Sequence, residues 1–499
     1  MGFKEDWIGL QQNLARAIVD ETFPSGREGS EDFGSYLRRY ETTLPLNWSP
    51  SSPMEILARA ADARAIIVGD YHTNPYSANT ILWLLENLNR LGRPTLVFLE
   101  ALPNGFQKEI DAFSHATLDE TDFLAAVGYH ASFGFDWSLY RPILRNAAES
   151  GARLFGLNVR SPTATLEVRD RFAASVVAAE LKRAAADSRS EDAVALILVG
   201  EKHLAPPHLA DALEGACREK GVGGPTIHIH CNVPTLYFDF LAEGYGGTPA
   251  AFQDGTGRFC LLEVSPLTLA AGDLNWFQKE HSSFLAPDFG QADGFGQAGE
   301  GVRFDEGEDH FDEAGLFGRV VIELARFFKC STEGLDDFHI YRGDNFQFVA
   351  SFRRDGMNAV AIHSLLEEAE RTECLYVPEY NLAWIKDVSP AHLGRTAALH
   401  LAAPRPPRGS GSPLLEGDTL RRHGALRRGA LGALGAALLD PYISHESLLP
   451  RLHPALGLPT RRRFTAAGGT EREGFEIGLT IFRALVEGRV PVDAVRALL

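Results

Sequence analysis

Two short runs place a histidine three residues after a glycine at the end of an apolar stretch: Val68-Gly69-Asp70-Tyr71-His72 and Val199-Gly200-Glu201-Lys202-His203. One Gly-x-x-His tetrapeptide says little. Two in matched settings, each followed by proline and a helical pattern, say more. An acidic residue follows the glycine in both, and a third acid closes the apolar run Val97-Phe-Leu-Glu100. If these elements end at one edge, two imidazoles and one to three carboxylates converge. Such a set suits a divalent metal ion with open positions, or acid–base work by a histidine beside a carboxylate. His72, Glu100 and His203 are therefore the candidate catalytic residues and candidate metal ligands. Asp70 and Glu201 join them either as ligands or as carboxylates that orient an imidazole. The plainer reading is that each histidine satisfies backbone groups at a strand end.

The surrounding pattern predicts how these residues are held. Arg64–Val68 reads as a short strand buried on both faces, with Gly69 permitting a tight turn. Thr73 or Asn74 caps the next helix, Pro75 suits its first turn, and Ile81, Leu82, Leu84, Leu85, Leu88 and Leu91 form its apolar stripe. Gly92 and Pro94 stop it, and Thr95–Leu99 is a second buried strand. A strand–helix–strand unit this short predicts a right-handed parallel crossover. His72 and Glu100 then lie past the carboxyl ends of neighbouring strands, the edge where open α/β sheets bind ligands. Further strands are predicted at Arg153–Leu157, Ala193–Val199 and Thr226–Cys231, and an edge strand at Arg258–Val264. The expected fold class is α/β, a mainly parallel sheet flanked by helices.

At 499 residues the chain is too long for one typical domain. A net charge of −18 argues against nucleic acid or an anionic membrane surface as the main partner. Five scattered cysteines without a Cys-x-x-Cys pair favour reduced thiols. With no secretory pattern at the start and no apolar span of membrane length, a cytoplasmic protein is the expectation. The organisation read from composition is a helical extension at 1–50, marked by Trp7, Leu10, Leu14 and Ile18, and an α/β core at 51–245. An edge strand and acidic Gly-rich linker come next at 246–315, then a mixed α/β segment at 316–403 that includes strands at Phe338–Tyr341 and Asn345–Phe352. A Pro/Gly/Ser linker at 404–413 leads to a helical region at 414–499.

The stretch from about Arg64 to Asn232 resembles the ChaN-like proteins of the haem-binding-uptake/Tiki superfamily, which also holds TraB-like and erythromycin-esterase-like members. The two Gly-x-x-His motifs and Leu99-Glu100 carry the resemblance, together with Asp136-Trp137-Ser-Leu-Tyr140-Arg-Pro142 and Gly151-Ala-Arg-Leu-Phe-Gly-Leu-Asn158-Val-Arg160. It implies an α/β sandwich with the motif residues in one cleft. The implied ligand is a small molecule, haem or a metal ion, with Tyr71, Trp137, Tyr140, Asn158 and Arg160 as candidate cofactor contacts. The alternative it implies is a metal- or histidine-dependent hydrolase of the esterase or peptidase kind using the same cleft. No haem-ligating tyrosine can be matched to a position, and Trp137 and Tyr140 share a helical face with Leu144, as core or cleft-wall residues do.

Other groups read as structural. His228 and His230 straddle Ile229 on a buried strand and are expected to be satisfied core residues. Asp305, Glu306, Glu308, Asp309, Asp312 and Glu313 lack the spacing of a calcium loop. Ser161 and Ser265 sit in no nucleophile elbow.

Overall fold

The structure is a computed structural model that describes residues 2–22, 31–44, 47–159, 164–188, 190–245, 249–282, 313–403, 418–443 and 470–496. The expected acidic linker falls almost wholly outside these residues, as does the Pro/Gly/Ser linker. The described residues divide into two compact units, one drawn from Ser25–Leu269 and Pro441–Arg463, the other from Met1–Pro24, Ala270–Asp440 and Phe464–Leu499.

The first unit is built on an eight-stranded sheet. Its strands are β1 (Ser49–Ser51), β2 (Ala65–Asp70), β3 (Thr95–Pro103), β4 (Arg153–Asn158), β5 (Val194–Gly200), β6 (Thr226–Cys231), β7 (Ala250–Gln253) and β8 (Arg258–Leu262). They lie in the order β1-β7-β8-β6-β2-β5-β3-β4. From β8 to β4 every pairing is parallel, and β7 and β1 add an antiparallel border. The fold class is the expected one. Two placements differ. The Arg258 strand is internal, because the short β7, Ala250–Gln253, pairs outside it. And β2 and β3 are not neighbours: β5 inserts between them, so the loop carrying His203 lies between those carrying His72 and Glu100.

Alternate residues of the central strands feed two cores, as the two-residue period requires. Ile66, Val68, Val97, Leu99, Leu196 and Leu198 face the helices Pro53–Asp62, Pro75–Arg90 and Arg141–Glu149. Ala65, Ile67, Phe98, Ala195 and Ile197 face the helices Leu166–Ala185 and Asp211–Lys220. Helices on both faces explain why these strands read as continuous apolar runs. The Asn74 side chain accepts from the Tyr76 N–H to cap the helix after β2, with Pro75 in its first turn.

The second unit contains a small sheet of β9 (His339–Arg342), β10 (Cys374–Val377) and β11 (Leu382–Ile385), with β11 central, antiparallel to β10 and parallel to β9. The helix Phe3–Thr22 buries Trp7, Leu10, Leu14 and Ile18 here. Expectation fails at Asn345–Phe352, where a helix, Phe348–Arg354, replaces the strand. Phe348 and Phe352 are four residues apart and both buried, a helical spacing that the string of phenylalanines disguised as alternation. The helices Pro390–Ala402, Asp418–Leu439 and Thr470–Val486 pack closely enough that a methyl on Gly394 would meet the Gly435 carbonyl at 2.2 Å.

Candidate functional site

The carboxyl ends of β2, β5 and β3 bring His72, His203 and Glu100 together. The common point lies above Gly200. A methyl group there would stand 3.3 Å from His72 Nε2, 3.4 Å from His203 Cδ2 and 3.5 Å from Glu100 Oε2. Gly200 keeps this point open, and Gly69 is needed for room, which differs from the turn expected there. Gly69 lies inside β2, and a methyl on it would come within 1.8 Å of Glu201 Oε2.

Each imidazole has a carboxylate behind it. His72 Nδ1 is 2.8 Å from Asp70 Oδ2, and the Tyr140 hydroxyl donates to the same oxygen at 2.7 Å. His203 Nδ1 is 2.5 Å from Asp170 Oδ1, with Tyr36 donating to Asp170 Oδ2 at 2.8 Å. A carboxylate accepting from Nδ1–H leaves Nε2 to face the site. His203 Nε2 stands 3.5 Å from Glu100 Oε1, while the Gly200 N–H donates to Glu100 Oε2 at 2.7 Å. Glu100 is not the last residue of its strand, as its sequence position suggested. β3 runs on to Pro103, and its register against β4 shifts between Leu99 and Pro103, around Glu100.

The charges follow from this packing. Burial disfavours the His203 imidazolium, but Glu100 and Asp170 outweigh it and push the imidazole up to about 10. Burial likewise works against His72, and Asp70 and Glu100 again win, raising it above its ordinary value. Burial would raise Glu100; His203, His72 and the Gly200 N–H hold it well below the usual carboxylate range instead. At neutral pH the centre is a carboxylate beside cationic histidine.

Two proposed ligands are engaged elsewhere. Asp70 is taken up by His72 and Tyr140. Glu201 is buried and accepts from Tyr40 at 2.7 Å, with His230 Nδ1 at 2.7 Å from the same oxygen. Among the described residues no group of three or more His, Cys, Asp and Glu side chains is arranged to hold a metal ion.

The candidate cofactor contacts divide in the same way. Trp137 is buried among Phe113, Phe123 and Tyr129, and Tyr140 is buried with its hydroxyl on Asp70. Neither offers a ring to a ligand. Tyr71 is half-buried beside Lys202, whose ammonium is 5.9 Å from its ring centre. Asn158 lines a small cleft of about 20 Å³ with Glu100, Leu157, Arg169, Asp170 and His203. Arg160 lies outside the described residues.

Sequence reasoning missed several members of the site. Phe133 and Phe135 flank the His72 ring at 4.9 and 4.7 Å. Asp170 sits between Arg169 and Arg171 and reads as a solvated charge run. Its one signal was helical spacing, since it shares a face with Ala173, Ala174 and Val177. On their strand His230 is buried and His228 half-buried, and desolvation pushes the His228 imidazole down to about 3.

Comparison with known proteins finds a match over part of the chain. Residues 56–193 match the family described as haem-binding uptake, Tiki superfamily, ChaN. This bears out the ChaN-like resemblance over a stretch that includes the first Gly-x-x-His motif and Glu100 and ends before the second motif. Among solved structures, the chain is similar to one titled "Cofacial heme binding to ChaN of Campylobacter jejuni", at 14% identity over 37% of this chain and 87% of that one, with a TM-score of 0.29. No curated protein matches the chain.

Proposed function

We propose that the sheet edge around His72 binds haem, with His72 as the residue that would hold its iron. The observation that carries this reading is the setting of His72. Its Nδ1 is fixed on Asp70, its side chain is 23% exposed, and its ring packs against the adjoining rings of Phe133 and Phe135. A carboxylate behind a ligating imidazole fixes its tautomer and raises its basicity, and aromatic walls suit a flat apolar ring system. The family description over 56–193 supports the same ligand. When bound, haem would supply an iron with an axial position open to a protein nitrogen and a potential set by that ligand.

The chain's own residues hold His72 in place. Asp70 orients the imidazole, Tyr140 orients Asp70, and Phe133 and Phe135 pack against the ring. Glu100 and the protonated His203 form the polar end of the site. A divalent ion without a porphyrin is the weaker reading, given the absence of a three-ligand group among the described residues. Hydrolysis is weaker too. Glu100 and Asp170 favour the imidazolium form of His203, and His203 in turn holds the Glu100 carboxyl low, so neither partner of this pair is a ready base. A reducing, cytoplasmic setting belongs to the proposal, since all five cysteines are free thiols and four are buried. No helix among the described residues is long and apolar enough to cross a membrane.

The test is an absorption spectrum of the purified chain before and after adding ferric protoporphyrin, with elemental analysis of the untreated protein. A Soret band that saturates at a fixed stoichiometry supports the proposal. A spectrum identical to free porphyrin at every ratio overturns it.

A further inference from the structure

The helix Glu31–Thr43 precedes the segment that matches the family model, 56–193, and its sequence displays no motif. Yet it reaches the second Gly-x-x-His loop with two tyrosines one helical turn apart. Tyr36 is buried and donates to Asp170 Oδ2 at 2.8 Å, while its oxygen lies 2.7 Å from His203 Nδ1. Its ring stacks on His208, with centroids 3.5 Å apart and planes 8° from parallel. Tyr40, four residues on, donates to Glu201 in the separate Glu201–His230 pair. Arg39 pairs with Glu167 at 2.6 Å, joining this helix to the one that carries Asp170.

The chemistry of the contact is specific. A phenol that donates to one carboxylate oxygen fixes the plane of that carboxylate, and so the direction in which its other oxygen faces. Asp170 Oδ1 then accepts from His203 Nδ1–H, and the phenol oxygen offers the same proton a second acceptor. With Nδ1 held on that side, Nε2 points at Glu100. The groups around His203 are Glu100 from β3, His72 from the loop after β2, Asp170 from the helix Leu166–Ala185, Tyr36 and Arg39 from the helix Glu31–Thr43, and His208 from its own loop.

We infer that Tyr36 is a positioning residue of this site, which through Asp170 holds the Nδ1–H side of the His203 ring away from the cleft and turns Nε2 toward Glu100, so that the working site extends upstream of the matched segment. This rests on the reading that the sheet edge is the ligand site, but its primary test needs no ligand. Proton–nitrogen NMR on the full-length apo chain at pH 7 would look for a downfield, slowly exchanging Nδ1 proton assigned to His203 by its loss in His203→Asn. The expected result is that the wild type shows this proton and that Tyr40→Phe keeps it. In Tyr36→Phe, which keeps the ring stacked on His208, it is lost or exchanges at least tenfold faster. A wild type whose His203 nitrogen shifts place the proton on Nε2 alone overturns the inference, whether or not any variant folds. So does an unchanged Nδ1 proton in a folded Tyr36→Phe. Failure of porphyrin binding leaves these signals standing and counts only against the proposed ligand.

Discussion

His203 Nε2 and Glu100 Oε1 stand 3.5 Å apart across β5 and β3, each largely buried, with the opposite side of the histidine held by Asp170. The pair shares its charge with few water molecules, so it dominates the protonation behaviour of the sheet edge.

Stability should therefore depend on pH through this pair. The folded His203 value of about 10 lies above the usual 6.5, so its contribution is complete below 6.5 and is lost as pH rises toward 10. Glu100 has the opposite sign. Its folded value is depressed, so its contribution is present above the usual 4.5 and is lost as pH falls. Denaturant unfolding between pH 6.5 and 10 should show wild-type stability falling more steeply than that of His203→Asn. Parallel pH curves for the two proteins would contradict the assignment.

The same groups predict how haem binding responds to pH. Ligation by His72 needs the neutral ring, and its folded value is raised above 6.5 by Asp70 and Glu100 against the opposing effect of burial. Affinity for ferric protoporphyrin should weaken as pH falls through that raised value. A titration series at several pH values, with each free-porphyrin reference matched, measures it.

Asp70→Asn should weaken haem binding about 10- to 100-fold while the chain stays folded, the range typical for losing the carboxylate behind a ligating histidine. The Asn side chain keeps the size of the group near Tyr140, so circular dichroism should be unchanged. Equal affinities in Asp70→Asn and wild type would remove Asp70 from the site.

Gly69→Ala and Gly200→Ala separate room in the fold from room in the site. At Gly69 the added carbon would lie 1.8 Å from Oε2 of the buried Glu201, whose other oxygen accepts from Tyr40, and the cost should be about 1–3 kcal/mol in unfolding free energy. At Gly200 the nearest atoms are 3.3 Å or more away, so stability should change by less than about 1 kcal/mol. The Gly200 variant should instead lose ligand affinity, because its methyl lies between His72, His203 and Glu100.

Much of this edge was legible in the sequence because parallel strands buried on both faces leave continuous apolar runs, and the residues just after each run must lie at the carboxyl edge. That logic located His72, Glu100 and His203. It could not give strand order: the crossover from β2 to β3 reads the same whether or not β5 lies between them. Nor could it distinguish a glycine needed for a turn from one needed for space, which depends on Glu201 arriving from another strand. Asp170 and Tyr36 were hidden for a related reason. Their partner, His203, is 33 and 167 residues away, and no local pattern encodes a contact of that range. Trp137 and Tyr140 drew attention as aromatics in a shared motif, yet their work is core packing and the orientation of Asp70.

The central claim, that His72 is the residue through which this edge holds haem, is tested most directly by parallel ferric-protoporphyrin titrations of the full-length wild type and His72→Ala, followed in the Soret region. The predicted result is a saturable band in the wild type, and in His72→Ala a shifted band with affinity at least tenfold weaker. Superimposable titrations, with the same band position and the same dissociation constant, would contradict the claim.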